Sequence, residues 1–463
     1  MRYIFYDTET TGVDTTFGQI LQFAAICTDE QFNVLERLEI RSRLLPYVVA
    51  SAGACRVNGV TIEQLNHPSL PSHYGMVRTI LETLQSWGPA VFIGYNSIRF
   101  DENIFRQALY QTLHQPYLTN TGGNSRSDAL KIVQAVHLHR PDVLSFPINE
   151  KGLPTFKLDR LAPANGFSEH KAHDALGDVE ATIFLCRLIA ERAPLLWSTF
   201  MRFSRKAVVD TFLTREPIWC LTEYYGAKPY CWLVTTLGRN PDNPSELCVV
   251  DLSVDPAEFS ALDDVALAVR LSKSPKPVRW VKTNASPIVS SASTVPSIAA
   301  ASALDAPELT RRQQRYRDDK LLAERLLAAL VSNREIYPPS QFVEQMIYDG
   351  FFSNDDQERM SQFHESPWDR RLDIVVQFED QRLRDIGLRL IYIEKPEALP
   401  ENIRQEQASN IADRLLGVTD GSLWLTIPKA IIETDVMLEH ADDTSRPFLY
   451  SYRDYLVQRM SEL

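Results

Sequence analysis

The chain has 463 residues, 44% hydrophobic and 23% charged, and a net charge of −12. That length exceeds what one core normally supports, so two or three domains are expected, and no apolar run is long enough to span a membrane. The acidity at first argues against a nucleic-acid partner, but its distribution matters more than its sum. The first 193 residues hold 17 Lys+Arg against 20 Asp+Glu, so most of the excess lies beyond them. Residues 265–304 contain Arg270, Lys273, Lys276, Arg279 and Lys282 and no acid. Clustered cations can bind phosphate on an acidic protein because screening confines distant charges to about 8–10 Å. The N-terminus enters a strand-like run with no basic, apolar leader, which predicts a cytoplasmic protein. Six scattered cysteines without a C-x-x-C pair predict buried thiols, with neither zinc cluster nor disulfide framework.

In chain order, "YIFY" (3–6), "ILQFAAICTD" (20–29) and "NVLERLEIRSRLL" (33–45) read as strands of an antiparallel meander. "TIEQL" and "YGMVRTILETLQSW" (74–87) have helical spacing, and "AVFIGYN" (90–96) is a short buried strand. Helices are expected at 101–113, 127–138 and 174–192. Together these predict an α/β domain with a mixed sheet over 1–193. Residues 194–345 read as a small β-rich domain, with a Ser/Ala/Pro-rich connector near 274–309. Residues 346–463 read as a helical domain. No repeat of fixed period is visible.

Asp7 and Glu9 end the first strand. Positions i and i+2 of a strand share a face, so both carboxylates project together, a costly arrangement unless a cation lies between them or one is protonated. A divalent metal removes that cost. Acids at strand ends are common, so the pair alone is a weak metal signal. "GYNSIRFDENIF" adds Asp101 at a helix start, where capping is the plain alternative. "KAHDALGDVEAT" adds His173 and Asp178. Five helical positions separate these two by about 140°, so they cannot share one face. His173 therefore belongs to the incoming loop, over a site into which Asp178 points. Asp174 reads as a cap.

"DTETTG", "GYNSIRFDENIFRQAL" and "HDALGDVEAT" resemble the three motifs of the DEDDh superfamily, 3′→5′ exonucleases with a ribonuclease-H-like fold. The resemblance assigns metal binding to Asp7, Glu9, Asp101 and Asp178 and the general base to His173. "QFAAICTDEQFNV", "GLPTFKLDRLAPANG", "IYDGFFSNDDQERM" and "LDIVVQFEDQRLRDI" are similar to the bacterial exodeoxyribonuclease I family over nearly the whole chain. That family implies an exonuclease domain, an SH3-like barrel and a C-terminal helical domain clamping single-stranded DNA. It implies processive release of 5′-mononucleotides in DNA repair or recombination, with two Mg²⁺ ions about 3.5–4 Å apart at the scissile phosphate, or Mn²⁺ in their place. Asp7 would touch both ions, Glu9 and Asp178 one, and Asp101 the other.

The resemblance also places Arg106, Arg140, Phe156, Lys157 and Lys206 on the DNA strand, cations for phosphates and a ring for a base. Lys157 stands where the family has arginine, and so loses a bidentate fork. "DTETTG" in place of a "DYETFG"-like motif removes an aromatic residue from the site edge. The implied protein partner is the acidic C-terminal tail of single-stranded-DNA-binding protein, and a single chain that clamps the strand needs no dimer. An RNA exonuclease of the same superfamily shares the catalytic set, but its relatives are normally one short domain. An inactive binding scaffold would have lost a ligand, and all five positions are intact.

Overall fold

The computed structural model of the protein describes residues 1–168, 174–294, 304–335, 338–418 and 421–463. The first sheet contains β1 (Arg2–Thr10), β2 (Ile20–Thr28), β3 (Val34–Arg41), β4 (Ala90–Gly94) and β5 (Ser125–Asp128), in the order β3-β2-β1-β4-β5. β1 pairs antiparallel with β2, and β2 with β3, as the meander predicts. β4 and β5 add parallel, giving the expected mixed sheet. β2 is buried throughout, which is why "ILQFAAICT" is nearly all apolar. β3 is the edge strand, and its Glu36, Arg37, Glu39 and Arg41 protect that edge.

Side-chain alternation along β1 divides two cores. Tyr3 and Phe5 join Ala24, Ile26 and Ile93 under the helices Ala129–His139 and Ala175–Arg192. Ile4 and Tyr6 join Phe23, Ala25 and Phe92 under the helices His73–Trp87 and Asp101–Tyr110. The helix expected at 127–138 runs over Ala129–His139, and the strand before it was not legible. "SRSD" carries no apolar side chain, and pairing with β4 alone makes it a strand.

The second sheet has the order β10-β6-β7-β8-β9 and is antiparallel throughout, the small SH3-like element. Its strands are β6 (Trp219–Tyr225), β7 (Lys228–Arg239), β8 (Glu246–Asp251), β9 (Val278–Lys282) and β10 (Ile288–Ser291). β9 and β10 lie inside the 274–309 stretch expected as a connector. Serine, alanine and proline dominate that composition, yet Val278, Val281 and Ile288 are buried and their strands pair with β8 and β6. The helices Ala306–Asp318 and Lys320–Ser332 cover this sheet through Tyr316, Leu322 and Leu326.

Beyond residue 350 every α or β element described is helical, from Asn354–Glu365 to Arg446–Ser461. These helices pack back on the first domain. Leu415, Ile427 and Tyr452 share a core with Val49, Ala50 and Cys55, and the Tyr452 hydroxyl donates to the Ala50 carbonyl. No helix of the described residues is long and apolar enough to cross a membrane. All six cysteines are free, five buried and Cys231 half-buried.

Candidate active site

Asp7 and Glu9 continue the Tyr3–Phe5 face of β1, the face covered by Ala175–Arg192. Asp178 occupies the first turn of that helix. Strand alternation and helix packing thus bring three acids together, and one carboxylate oxygen from each of Asp7, Glu9 and Asp178 lies within 4.8 Å of the others. The start of the helix is held by Asp174, which accepts from the Gly177 amide at 3.3 Å, as the capping reading predicts. Asp174 also accepts from Gln22 at 3.0 Å and Arg41 at 3.3 Å, tying the helix to β2 and β3. His173 lies outside the described residues.

Asp101 arrives from the opposite face. It is the first residue of its helix, not the cap, and the capping position is Phe100, which makes no side-chain cap bond. Asp101 Oδ1 instead accepts from the Thr8 amide at 3.1 Å and the Thr8 hydroxyl at 2.6 Å. Thr8, between Asp7 and Glu9, points away from them and takes hold of the fourth acid.

Two further residues shape the approach to Asp101. Asp128 accepts from the amides of Asn96 at 2.9 Å, Ile98 at 3.4 Å and Leu130 at 3.0 Å, ordering the turn after β4. Gly94 ends β4 where a Cβ would stand 2.5 Å from Ser97 Cβ and 2.9 Å from the Tyr6 carbonyl. Sequence reading missed Thr8, Asp128 and Gly94. Of these only Asp128 had a local signal, an acid immediately before a helical run.

Electrostatics distinguish the cluster from ordinary surface acids. Burial first, then repulsion from Asp101, Asp178 and Glu9, pushes the Asp7 carboxyl well above the usual range. Burial and then Asp178 raise Glu9 to about 8. Burial raises Asp101 to about 7 against the opposing Thr8 hydrogen bonds. Buried acids that repel one another accept either protons or a cation. Oxygen donors at this spacing suit a hard divalent ion, so the residues present fit the expected metal.

Two cavities flank the cluster. One of about 650 Å³ is lined by Glu9, the Thr10–Asp14 loop, Phe17, Tyr47, Trp424 and Glu433, so C-terminal helices complete its wall. The other, about 600 Å³, reaches Asp178 and includes Phe156 and Lys157. Of the five DNA-contact candidates, these two share a cavity with a cluster acid. The Phe156 ring is no open stacking platform: it is 9% exposed and packs edge-on against His137, Phe146 and Tyr224. Lys157 is exposed at the start of Leu158–Ala164.

The other three candidates lie elsewhere. Arg106 is turned inward, donating to Glu102 at 2.8 Å and lying 5.2 Å over Tyr117. Arg140 makes a bidentate pair with Asp142 at 2.9 and 2.7 Å and borders a separate cavity of about 550 Å³. Lys206 is exposed at the start of Lys206–Arg215. The basic stripe is also broken up. Arg270 pairs with Glu258 at 2.8 Å, Lys282 lies 3.9 Å from Glu246, and Arg279 stacks 3.8 Å over Trp232.

Comparison with known proteins agrees with this geometry. Residues 4–185 match the family model described as Exonuclease, and residues 341–458 match the Exonuclease I C-terminal domain. The chain is 27% identical over 405 residues to exodeoxyribonuclease I of Escherichia coli, covering 83% of each chain. Its fold is similar to that of E. coli exonuclease I solved with a dA16 oligonucleotide, with a TM-score of 0.87, 25% identity and 99% of both chains covered. The moderately thermophilic exonuclease I of Methylocaldum szegediense is matched with the same TM-score of 0.87, 25% identity and 99% coverage of both chains. E. coli exonuclease I has also been solved as a zinc-bound complex with single-stranded DNA, and exonuclease I has been solved with SSB. With three acids converging beside its cavities, an exonuclease family model over its first domain and a fold matched over 99% of both chains, the chain is a 3′→5′ exonuclease similar to exodeoxyribonuclease I.

Proposed function

We propose that the protein degrades single-stranded DNA from its 3′ end, processively, to 5′-mononucleotides, in repair and recombination in the cytoplasm. The observation that carries this reading is the convergence of Asp7, Glu9 and Asp178 beside a cavity large enough for a terminal nucleoside. Asp7, Glu9 and Asp178 would hold the metal, and Asp101, fixed by Thr8 and near enough to repel Asp7, would be the fourth acid at its edge. Mg²⁺, or Mn²⁺ in its place, supplies a Lewis acid and an acidified water when bound.

The chain's own groups do the rest. Phe17, Tyr47 and Trp424 offer apolar walls to the terminal nucleoside and exclude water from it. Lys157 supplies a cation to the phosphate chain leaving the Asp178 side. His173 takes the proton of the attacking water, a task that suits an imidazole titrating near neutrality. Every group named here comes from one chain, so the reaction needs no second copy. The acidic tail of single-stranded-DNA-binding protein is the proposed protein partner. The Arg140 cavity, with Leu195 and Phe200 on its walls, offers such a peptide an apolar floor beside a guanidinium that would exchange Asp142 for the peptide's carboxylate.

The test is digestion of 5′-labelled single-stranded DNA, the matching RNA and duplex DNA with Mg²⁺, beside an Asp7→Ala control. A ladder on single-stranded DNA that disappears in the variant is expected. Preferential digestion of RNA would move the substrate to that polymer, and absence of metal-dependent cleavage would end the enzymatic reading.

A further inference from the structure

A second ionic centre lies beneath the acidic cluster. Glu102, the residue after Asp101, is 1% exposed. Its carboxylate accepts from Arg126 Nη1 at 2.6 Å, Arg106 Nε at 2.8 Å, the Thr119 hydroxyl at 2.6 Å and the Tyr6 hydroxyl at 3.2 Å. Arg126 on β5 is in register with Phe92 on β4, which puts it on the Tyr6 face, under the helix that Asp101 begins. Buried ion clusters of this kind are weak contributors to stability, since well-packed apolar residues often serve the fold as well. A positional role accounts for it better.

Arg126 has a second arm. Its Nη2 donates to the Asn284 carbonyl at 3.1 Å, in the turn between β9 and β10 of the second sheet. That turn faces the 96–103 segment across a cavity of about 520 Å³. Arg99 and Lys131 line the cavity on the first domain's side and Lys282 on the other, against the acids Asp128 and Glu223, so cations outnumber acids where a phosphate chain would pass between the domains.

We propose that Arg126, acting through Glu102, is a positioning residue that couples the seating of an extended strand between the two domains to the placement of Asp101. This rests on the reading of the protein as a single-strand exonuclease. A strand in the cavity bears on the Asn284 turn. Arg126 carries the turn's position to Glu102, which is one peptide from Asp101. A substrate too short to enter the cavity gains nothing from this relay.

Lysine at 126 isolates the coupling, because it keeps a cation for Glu102 but lacks the planar fork that reaches two acceptors at once. The measurement is kcat and KM on a long oligothymidylate and on a thymidine trinucleotide, for wild type, Arg126→Lys and Glu102→Gln, with melting temperatures alongside. The wild type is expected to turn over the long strand faster. In Arg126→Lys that advantage shrinks about two- to thirty-fold, the range for residues along a coupling network. The loss falls on kcat for the long strand more than on the trinucleotide or on KM. Glu102→Gln, which keeps the side chain's shape, shrinks the same ratio and decides the matter if the lysine variant does not fold. An unchanged ratio in the folded variants, or equal slowing of both substrates, would overturn the coupling while leaving the exonuclease reading intact. A wild type that cleaves neither substrate would overturn both.

Discussion

At the scale of single residues, the site is a repulsive object waiting for a cation. Glu9 at about 8 and Asp101 at about 7 both lie above their unfolded values, so the folded protein binds more protons than the unfolded chain as pH rises past the ordinary carboxylate range. The sign follows: stability is greatest below the unfolded carboxylate values and is lost as pH rises through about 7 to 8. Metal-free protein should therefore melt at a lower temperature at pH 8.5 than at pH 5.5, provided other groups are matched by comparison with Asp7→Asn. That variant removes a buried repelling charge, so its metal-free melting temperature should fall less with pH. Its activity should drop by about 10²–10³-fold, as for loss of a main electrostatic contact at a reacting centre. Equal pH slopes in the two proteins would contradict the origin assigned to the raised carboxyls.

Metal binding must expel the same protons. Calorimetry with Mn²⁺ at pH 7 in buffers of different ionisation enthalpy should show proton release. Thr8→Val removes the hydroxyl that orients Asp101 while keeping the backbone and shape. It should weaken Mn²⁺ binding by about 10–100-fold, the usual effect of losing a group that orients a ligand. Unaltered affinity would mean that the Thr8 amide holds Asp101 alone.

At the scale of elements, the entry to Ala175–Arg192 matters most, because that helix brings Asp178 to β1. Asp174 caps it and joins it to Gln22 and Arg41. Asp174→Ala should cost about 0.5–2 kcal/mol in denaturant melts, as cap losses do. Its kcat should fall further than the stability loss explains, since the first turn also carries a metal ligand. Loss of stability with normal kcat would confine Asp174 to capping. The elements were unevenly legible. β2 announced itself because a strand buried on both faces is apolar at nearly every position, and β1 through the apolar run Tyr3–Tyr6 that precedes its acids. β5, β9 and β10 did not, because their strand character depends on the partner beside them more than on their own residues.

Across the whole molecule, the C-terminal helices are attached to the first domain through a buried acid. Glu344 takes Arg389 at 2.6 Å and Arg414 at 2.7 Å, while its carbonyl accepts from Gln107 at 2.5 Å. Burial works to raise this carboxyl, but the two guanidinium groups outweigh it and hold it down at about 2. Its contribution is therefore present above the unfolded carboxylate range and lost as pH falls toward 2. Glu344→Ala leaves two buried arginines unpaired and should cost about 3–5 kcal/mol. Arg414 and Trp424 line the cavity beside Glu9, so the same variant should raise KM for single-stranded DNA more than it lowers kcat. A KM equal to that of the wild type would show that the cavity wall does not depend on this anchor.

The amino-acid sequence by itself determined the chemistry of the site and part of its geometry. Two-residue alternation places Asp7 and Glu9 on one face of β1, and the spacing after Asp174 places Asp178 in the first turn of a helix. Only the tertiary structure decided that these acids meet within 4.8 Å, that Asp101 is held by Thr8, and that Arg106 turns inward to Glu102. It also decided the charge state, because desolvation depends on what packs over a residue from distant parts of the chain. Local pattern can say which way a side chain points; only the fold says what it will find there.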